Sequence, residues 1–271
     1  MRADLHIHTT CSDGTKSPEE IVSLAKSIGL AAIAITDHDT LEGVEPAVTA
    51  GRRLNLEVIP GIELSAECDS GEIHILGYLI DLNQQEFLDK LSLFRQGRID
   101  RMKKMIDKLR DHGLEVQFNR VLEISGSGSL GRPHLAAALL ETGAIKSTQE
   151  AFDRFIGNGK PAYVPRFKLS PEEAIQLIRA AGGVPVLAHP GMIESTPTPD
   201  ELITAGLAGL EAYHPAHSRE LSAYYVRLAR AKGLIITGGS DYHGPGHTGR
   251  CRLGSDTVPC EVVSDLRKYA P

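Results

Sequence analysis

Residues 31–39 read AAIAITDHD. The run Ala31–Thr36 is short and almost wholly apolar, the pattern of a strand buried on both faces of a sheet. It stops on Asp37, His38 and Asp39, side chains that bind metals or move protons. The same sequence event recurs along the chain. Glu57–Pro60 runs into Gly61-Ile62-Glu63, and Val184–Ala188 into His189-Pro190-Gly191. Gly209–Tyr213 runs into His214 and His217, and Leu234–Thr237 into Gly238-Gly239-Ser240-Asp241-Tyr242-His243. With Ala3–Ile7 and Ile73–Ile80 this makes seven expected strands. In a parallel sheet or barrel the carboxyl ends of the strands share one rim, so these polar termini are expected to converge.

Helical patterns separate the strands. Ser17-Pro18-Glu19-Glu20 and Ser170-Pro171-Glu172-Glu173 each supply an N-cap, a first-turn proline and early acids. Strand–helix alternation over this length predicts an α/β protein, a (β/α) barrel or a doubly wound sheet. The rhythm breaks once. A long charged helix is expected from about Gln85 to His112, with Met102 and Met105 at core spacing, followed by helices over Pro133–Gly143 and Gln149–Ile156. The expected organisation is a barrel of residues 1–96 and 166–271, with 97–165 a mainly helical insertion that caps substrate. Gly126–Gly131 matches G-x-G-x-x-G, but it follows no strand of a βαβ unit and is set aside as a dinucleotide loop.

Composition narrows the class. The chain has 271 residues, 24% of them charged and 41% hydrophobic, which is globular and not disordered. The formal charge of −6 argues against a stable complex with long nucleic acid, which needs a cationic surface. It leaves open a small phosphate held through metal. No apolar run approaches the roughly 18 residues that span a bilayer, and polar residues at Asp4, His6 and His8 argue against a signal peptide. Cys11, Cys68, Cys251 and Cys260 form no CxxC pair and read as reduced thiols of a cytoplasmic protein.

Eleven histidines remain to be explained. His6 and His8 lie two apart on an expected strand, so both leave one face; taken alone, the pair fits a metal and a surface or core pair equally. Together with the other strand ends it points to divalent ions. Histidine and carboxylate donors without cysteine suit Zn, Mn or Fe.

These motifs resemble one family. His6-Ile7-His8-Thr9, Ser12-Asp13-Gly14, Thr36-Asp37-His38-Asp39, Gly61-Ile62-Glu63, His74-Ile75-Leu76-Gly77, Ala188-His189-Pro190 and Ser240-Asp241-Tyr242-His243 are similar, in this order, to the motifs of the PHP (polymerase and histidinol phosphatase) phosphoesterases. The resemblance implies a distorted seven-stranded (β/α) barrel, TIM-like, with a trinuclear metal site. It implies His6, His8, Glu63 and Asp241 on one ion, Glu63 as a bridge with His74 and His189 on a second, and Asp13, His38 and His243 on a third. His112 matches no motif, and His214 no ligand position.

Within the family the chain is most similar to 3′,5′-nucleotide bisphosphate phosphatases and short-RNA 5′→3′ exonucleases. That implies hydrolysis of a phosphomonoester by in-line attack of a metal-activated hydroxide, with Glu63 and Asp241 indispensable. Arg132 and His134, opening a helix, are expected to seat a phosphate beside free N–H groups, and Lys160 to add a cation. His217, at the rim, is the candidate general acid or substrate-orienting group. Tyr163, Phe167 and Tyr242 are candidate base-stacking rings, equally suited to packing. A histidinol-phosphate-type phosphatase and a non-catalytic metal-binding module are the competing readings. Three divalent ions would add roughly +6 at one rim, enough to offset the formal charge.

Overall fold

The computed structural model describes residues 1–68, 71–126, 128–165, 169–193, 199–245 and 252–270; Phe167 and Cys251 lie outside them. Two compact units are present: Met1–Asp89 together with Leu169–Pro271, and Lys90–Lys168.

The first unit is built on eight strands: β1 (Arg2–Asp4), β2 (Ala32–Ile35), β3 (Glu57–Cys68), β4 (Gly71–Tyr78), β5 (Val184–Leu187), β6 (Gly209–Tyr213), β7 (Ile235–Gly238) and β8 (Val258–Pro259). They form one sheet in the order β7-β6-β5-β4-β3-β2-β1-β8. Its ends meet. Beyond β1, Leu5 N–H donates to Gly238 O at 3.2 Å, His8 N–H donates to Tyr242 O at 3.0 Å, and Ile7 bridges Tyr242 in parallel. The result is a nearly closed barrel.

All seven expected runs form strands, but the strict strand–helix alternation does not hold. β4 is antiparallel to both β3 and β5, and no helix separates β3 from β4. β3 runs on to Cys68, well past the expected stop at Pro60, because its extension pairs with β4 from Gly61↔Tyr78 through Cys68↔Gly71. The short β8, antiparallel to β1, was not among the expected strands. This is a mixed sheet, where sequence periodicity alone favoured a parallel one.

Packing follows the strand period. In β2, Ala32 and Ala34 belong to one buried cluster, with Leu5, Leu76 and Tyr78. Ile33 and Ile35 belong to another, with Ile21, Val22, Ala25, Val44 and Ala47 from the helices Pro18–Ser27 and Val44–Leu54. Both serine-capped helices start where expected. Ser17 Oγ accepts Glu20 N–H at 3.2 Å while Glu20 Oε2 accepts Ser17 N–H at 2.8 Å, and Ser170 and Glu173 repeat the reciprocal pair at the same distances. A side-chain N-cap of this kind contributes about 1 kcal/mol.

The second unit contains the helix Gln85–Asp111 from Lys90 onward, then Phe118–Ser125, Arg132–Glu141 and Thr148–Ala151, the last continuing into a π-helical turn at Phe152–Ile156. Met102, Met105, Leu109, Leu135, Leu139 and Ile156 are in its core, so both methionines pack as expected. His112 is exposed just past the end of the long helix.

Candidate metal centre

The carboxyl ends of β1, β2 and β5–β7, with the middle of the β3–β4 hairpin, bring their polar residues to one rim. Glu63 lies at the middle of the cluster, 1% exposed. Its Oε2 is 3.3 Å from His6 Nε2, 3.2 Å from His8 Nε2 and 3.1 Å from His38 Nδ1. Its Oε1 is 2.9 Å from His74 Nδ1 and 3.0 Å from His189 Nε2. Asp241 Oδ1 lies 3.4 Å from His6 Nε2 and 3.2 Å from His8 Nε2. His243 Nε2 lies 3.3 Å from Asp13 Oδ1, and His38 Nε2 lies 4.0 Å from Asp13 Oδ2.

All nine residues expected as ligands are therefore brought together. Among the described residues the donor atoms of eight of the nine form three tight groups: His6, His8 and Asp241; His38, Glu63 and His74; and His8, Asp13, His38 and His243. The grouping is not identical to the one that the resemblance implies: His8 and His38 each stand in two groups, Glu63 stands with His38 and His74 but not with His6, His8 and Asp241, and His189 stands in none.

The donor chemistry fits divalent cations. His6 Nε2, His8 Nε2, His38 Nδ1 and Asp13 Oδ1 are buried without a hydrogen-bond partner, a costly arrangement for polar atoms unless an ion takes their lone pairs. The outward nitrogens are occupied in a way that leaves the inward nitrogens as the ones an ion would take. His6 Nδ1 is 2.9 Å from Glu211 Oε1, His74 Nε2 is 2.9 Å from Glu72 Oε1, and His243 Nδ1 is 2.9 Å from the Asp241 carbonyl oxygen. Carboxylate and carbonyl oxygens only accept, so these nitrogens carry the protons.

Ionisation follows the same geometry. Burial pushes the Glu63 carboxyl up, but the imidazoles of His38, His74 and His6 more than offset it and hold it well below the usual carboxylate range. Asp241 behaves alike, burial opposing the larger combined pull of His6, His243, His214 and His8. Burial presses His74 and His243 down. Glu63 and Glu72 around the first, and Asp13 and Asp241 around the second, raise both to about 10. His38 goes the other way, to about 3, because burial and the neighbouring His8 and His74 outweigh Glu63 and Asp13.

Close backbone contacts hold the cluster. His189 and Asp241 have φ of 26° and 48°, left-handed values that non-glycine residues adopt at some energetic cost and that concentrate at functional sites. Gly239 leaves no room for a side chain: a Cβ there would lie 2.3 Å from His6 Cβ.

Among the described residues, three wholly buried carboxylates have no role assigned from sequence. Asp4 accepts from Ser240 N–H at 2.9 Å, Ser240 Oγ–H at 2.6 Å and Gly254 N–H at 2.8 Å. Asp37 accepts from Thr9 N–H and Oγ1–H, both at 2.7 Å, and from Ser12 Oγ–H at 2.5 Å. Glu211 accepts from His6 and from the His189 N–H at 2.7 Å. The first two clamp the segments that carry Asp241 and Asp13. The only sequence signal is a charge in, or directly after, an apolar strand, as at Glu211 in Gly-Leu-Glu-Ala-Tyr.

His217 differs from expectation. Its Nδ1 is 3.1 Å from the Ala212 carbonyl oxygen and its Nε2 accepts Gly191 N–H at 3.1 Å. Both nitrogens are engaged in these hydrogen bonds, and burial moves the imidazole below its ordinary pKa. His214, given no ligand role from sequence, lies nearer the cluster: Nδ1 accepts Ala216 N–H at 3.1 Å and Nε2 is 3.3 Å from Asp241 Oδ2. Tyr242 is buried in the core and unavailable for stacking.

In the second unit, Arg132 opens its helix as expected. Its guanidinium lies 5.7 Å from the ring centres of both Phe152 and Tyr163, and Nη1 donates to Asn158 Oδ1 at 3.1 Å. His134 uses Nδ1 to accept Gly131 N–H at 3.1 Å, a helix cap that leaves Nε2 with the proton. Lys160 is exposed in the turn that follows the π-helical segment.

A barrel rim carrying this donor set has known counterparts. Residues 4–160 match the PHP domain. The chain belongs to the PHP family. This PHP protein is 32% identical over 253 residues to the 3′,5′-nucleoside bisphosphate phosphatase of Chromobacterium violaceum, covering 91% of the chain and 89% of that relative. It is 34% identical over 252 residues to the phosphoribosyl 1,2-cyclic phosphate 1,2-diphosphodiesterase of Eggerthella lenta, covering 90% and 95%. It is 32% identical over 249 residues to the 5′-3′ exoribonuclease Rnm of Escherichia coli, covering 89% and 85%. A crystal structure from Bifidobacterium adolescentis, described as that of a metal-dependent phosphoesterase, superposes with a TM-score of 0.89 at 29% identity over 99% of this chain and 96% of the other. The PHP protein is a phosphoric ester hydrolase, and the reading as a non-catalytic module is set aside. Among the described residues no helix is long and apolar enough to cross a membrane.

Proposed function

We propose that this PHP protein removes the 3′-phosphate of nucleoside 3′,5′-bisphosphates, leaving nucleoside 5′-monophosphates, and that it also acts at the 5′ end of short RNA. The observation that carries the reading is the set of donors packed on Glu63, five imidazole nitrogens within 3.3 Å of one carboxylate. The choice of substrate is supported by 32% identity over 91% of the chain to a phosphatase of that name.

In this reading His6, His8, Glu63 and Asp241 hold one divalent ion, Glu63, His74 and His189 a second, and Asp13, His38 and His243 a third. Such ions, of Mn, Fe or Zn, supply Lewis acidity and water of lowered pKa. The protein's own groups do the rest. Glu211 and Glu72 hold a proton on the outward nitrogens of His6 and His74, so the inward nitrogens are the ones that give up theirs to an ion. His214 Nε2–H bonds Asp241 Oδ2 and restrains that carboxylate. Arg132, His134 and Lys160 are the second unit's cationic or donor groups assigned to a substrate phosphate.

The test is a product assay on adenosine 3′,5′-bisphosphate, 5′-phosphorylated short RNA, histidinol phosphate and phosphoribosyl 1,2-cyclic phosphate. The bisphosphate is expected to give adenosine 5′-monophosphate with at least a tenfold higher kcat/KM than histidinol phosphate. Preference for the cyclic phosphate would establish the second reading, which the 34% identity to the Eggerthella diphosphodiesterase favours.

A further inference from the structure

Glu211 stands at the middle of β6, wholly buried, on no face that a soluble protein ordinarily gives to a carboxylate. Its two oxygens go to two different places. Oε1 takes the Nδ1–H of His6 at 2.9 Å, and Oε2 takes the backbone N–H of His189 at 2.7 Å. The rings of these two histidines are near-parallel, with centres 5.8 Å apart. Each then faces a different oxygen of Glu63: His6 Nε2 lies 3.3 Å from Oε2, and His189 Nε2 lies 3.0 Å from Oε1. Glu211 and Glu63 are thus linked twice, through one histidine assigned to the first ion and one assigned to the second.

We infer that Glu211 is a positioning residue that sets both ion sites at once, by fixing the tautomer of His6 and the backbone of His189. The inference stands on the reading of the rim as a metal centre. At His6 a carboxylate can only accept, so a proton is held on Nδ1 and Nε2 is the nitrogen left for an ion. At His189 the accepted N–H belongs to a residue with φ of 26°, a conformation that persists only where its surroundings enforce it. A backbone N–H cannot exchange donor for acceptor, whereas an imidazole can.

That asymmetry makes Glu211→Gln the informative variant. The glutamine oxygen must take the His189 N–H, and its amide N–H₂ then faces His6. His6 can accept that donor only by moving its proton from Nδ1 to Nε2, which places a hydrogen where the lone pair faced Glu63 and Asp241. Every hydrogen bond stays satisfied and the ion-free fold survives, but the ion-binding face is blocked.

The experiment measures ion uptake by elemental analysis and zinc affinity by competition with a chromophoric chelator, together with the melting temperature of the ion-free protein. The expected result is a fall in zinc affinity of about 10- to 100-fold in Glu211→Gln, the range for loss of an outer-shell partner, with ion-free melting close to wild type. A merely structural role would lower melting and leave affinity alone, and that result overturns the inference. A measurement on the unaltered protein stands beside it: in ¹⁵N-histidine-labelled, zinc-loaded wild type, the His6 proton is expected on Nδ1, and finding it on Nε2 would overturn the inference as well. Wild type that takes up no ion would sink the metal reading itself, a different outcome from equal affinity in the two proteins.

Discussion

Glu63 Oε1 lies 2.9 Å from His74 Nδ1, across a hairpin whose second strand runs against both of its neighbours. The reversal is what places the two together. In a parallel strand a residue near the start lies at the far end of the barrel from the catalytic rim; in the antiparallel β4, His74 comes to the rim opposite Ser65. One hairpin thereby supplies the carboxylate at the middle of the cluster and an imidazole that faces it.

Glu63→Gln removes the charge on which five imidazoles converge. The expected outcome is loss of at least one equivalent of bound ion and a fall in kcat of about 10³-fold or more, roughly 4 kcal/mol of barrier. Asp241→Asn is expected to act alike. Steady-state kinetics beside elemental analysis check both, and near-normal turnover in either variant contradicts the assignment.

Ion binding should release protons. In the ion-free protein the carboxylates raise His74 and His243 to about 10, so both are charged at pH 8, and a ligand nitrogen must give up its proton to an ion. Affinity therefore rises as pH rises through the range below 10 and falls on acidification. Titration calorimetry at pH 8 in buffers of different ionisation enthalpy is expected to report at least two protons released per chain, since His6 and His8 are raised as well. Buffer-independent heats would contradict the picture.

The strands, and most of the polar residues that meet at the rim, were legible in sequence because most apolar runs end on groups that a core cannot bury alone, as Ala31–Thr36 does before Asp37 and His38. Strand direction was not legible. From Ile75 to Tyr78 β4 is buried on both faces, as a parallel strand would be, so composition there carries no sign of its reversal. The outer carboxylates were missed because Glu211 lies inside a strand with nothing in its spacing to show that His6, 205 residues away, is its partner. For His217, its place just after β6 predicts the rim, but not the two hydrogen bonds that occupy its ring.

Gly239 is a packing requirement. A Cβ there would meet His6 Cβ and N at 2.3 Å, so Gly239→Ala forces strand β1 and the Asp241 segment apart. Overpacking of this kind costs about 1–3 kcal/mol, expected as a lowering of Tm by roughly 2–10 °C together with weaker ion binding. An unchanged Tm in a thermal melt would contradict the contact.

His217→Asn tests the brace against the acid. If the ring only ties Gly191 to Ala212, substrates with good and poor leaving groups lose rate by the same factor. A selective loss of about 10²-fold or more on the poor leaving group is the mark of general acid catalysis, and leaving-group dependence of kcat decides between them.

Arg132→Ala is expected to weaken substrate binding by about 1.5–3 kcal/mol, the range for a hydrogen bond to a charged group. The signature is a raised KM for the bisphosphate. Unchanged KM and kcat would restrict Arg132 to its packing against Phe152 and Tyr163.

The central claim is that the rim around Glu63 is a divalent-metal centre on which phosphoester hydrolysis depends. Phosphate release from adenosine 3′,5′-bisphosphate, measured on one preparation as purified, after chelator dialysis and after return of Mn, Fe or Zn, tests it most directly. The account predicts more than one equivalent of metal per chain as purified, loss of phosphate release with the metal, and recovery on its return. Full activity in a chain shown by elemental analysis to be free of transition metal would contradict it.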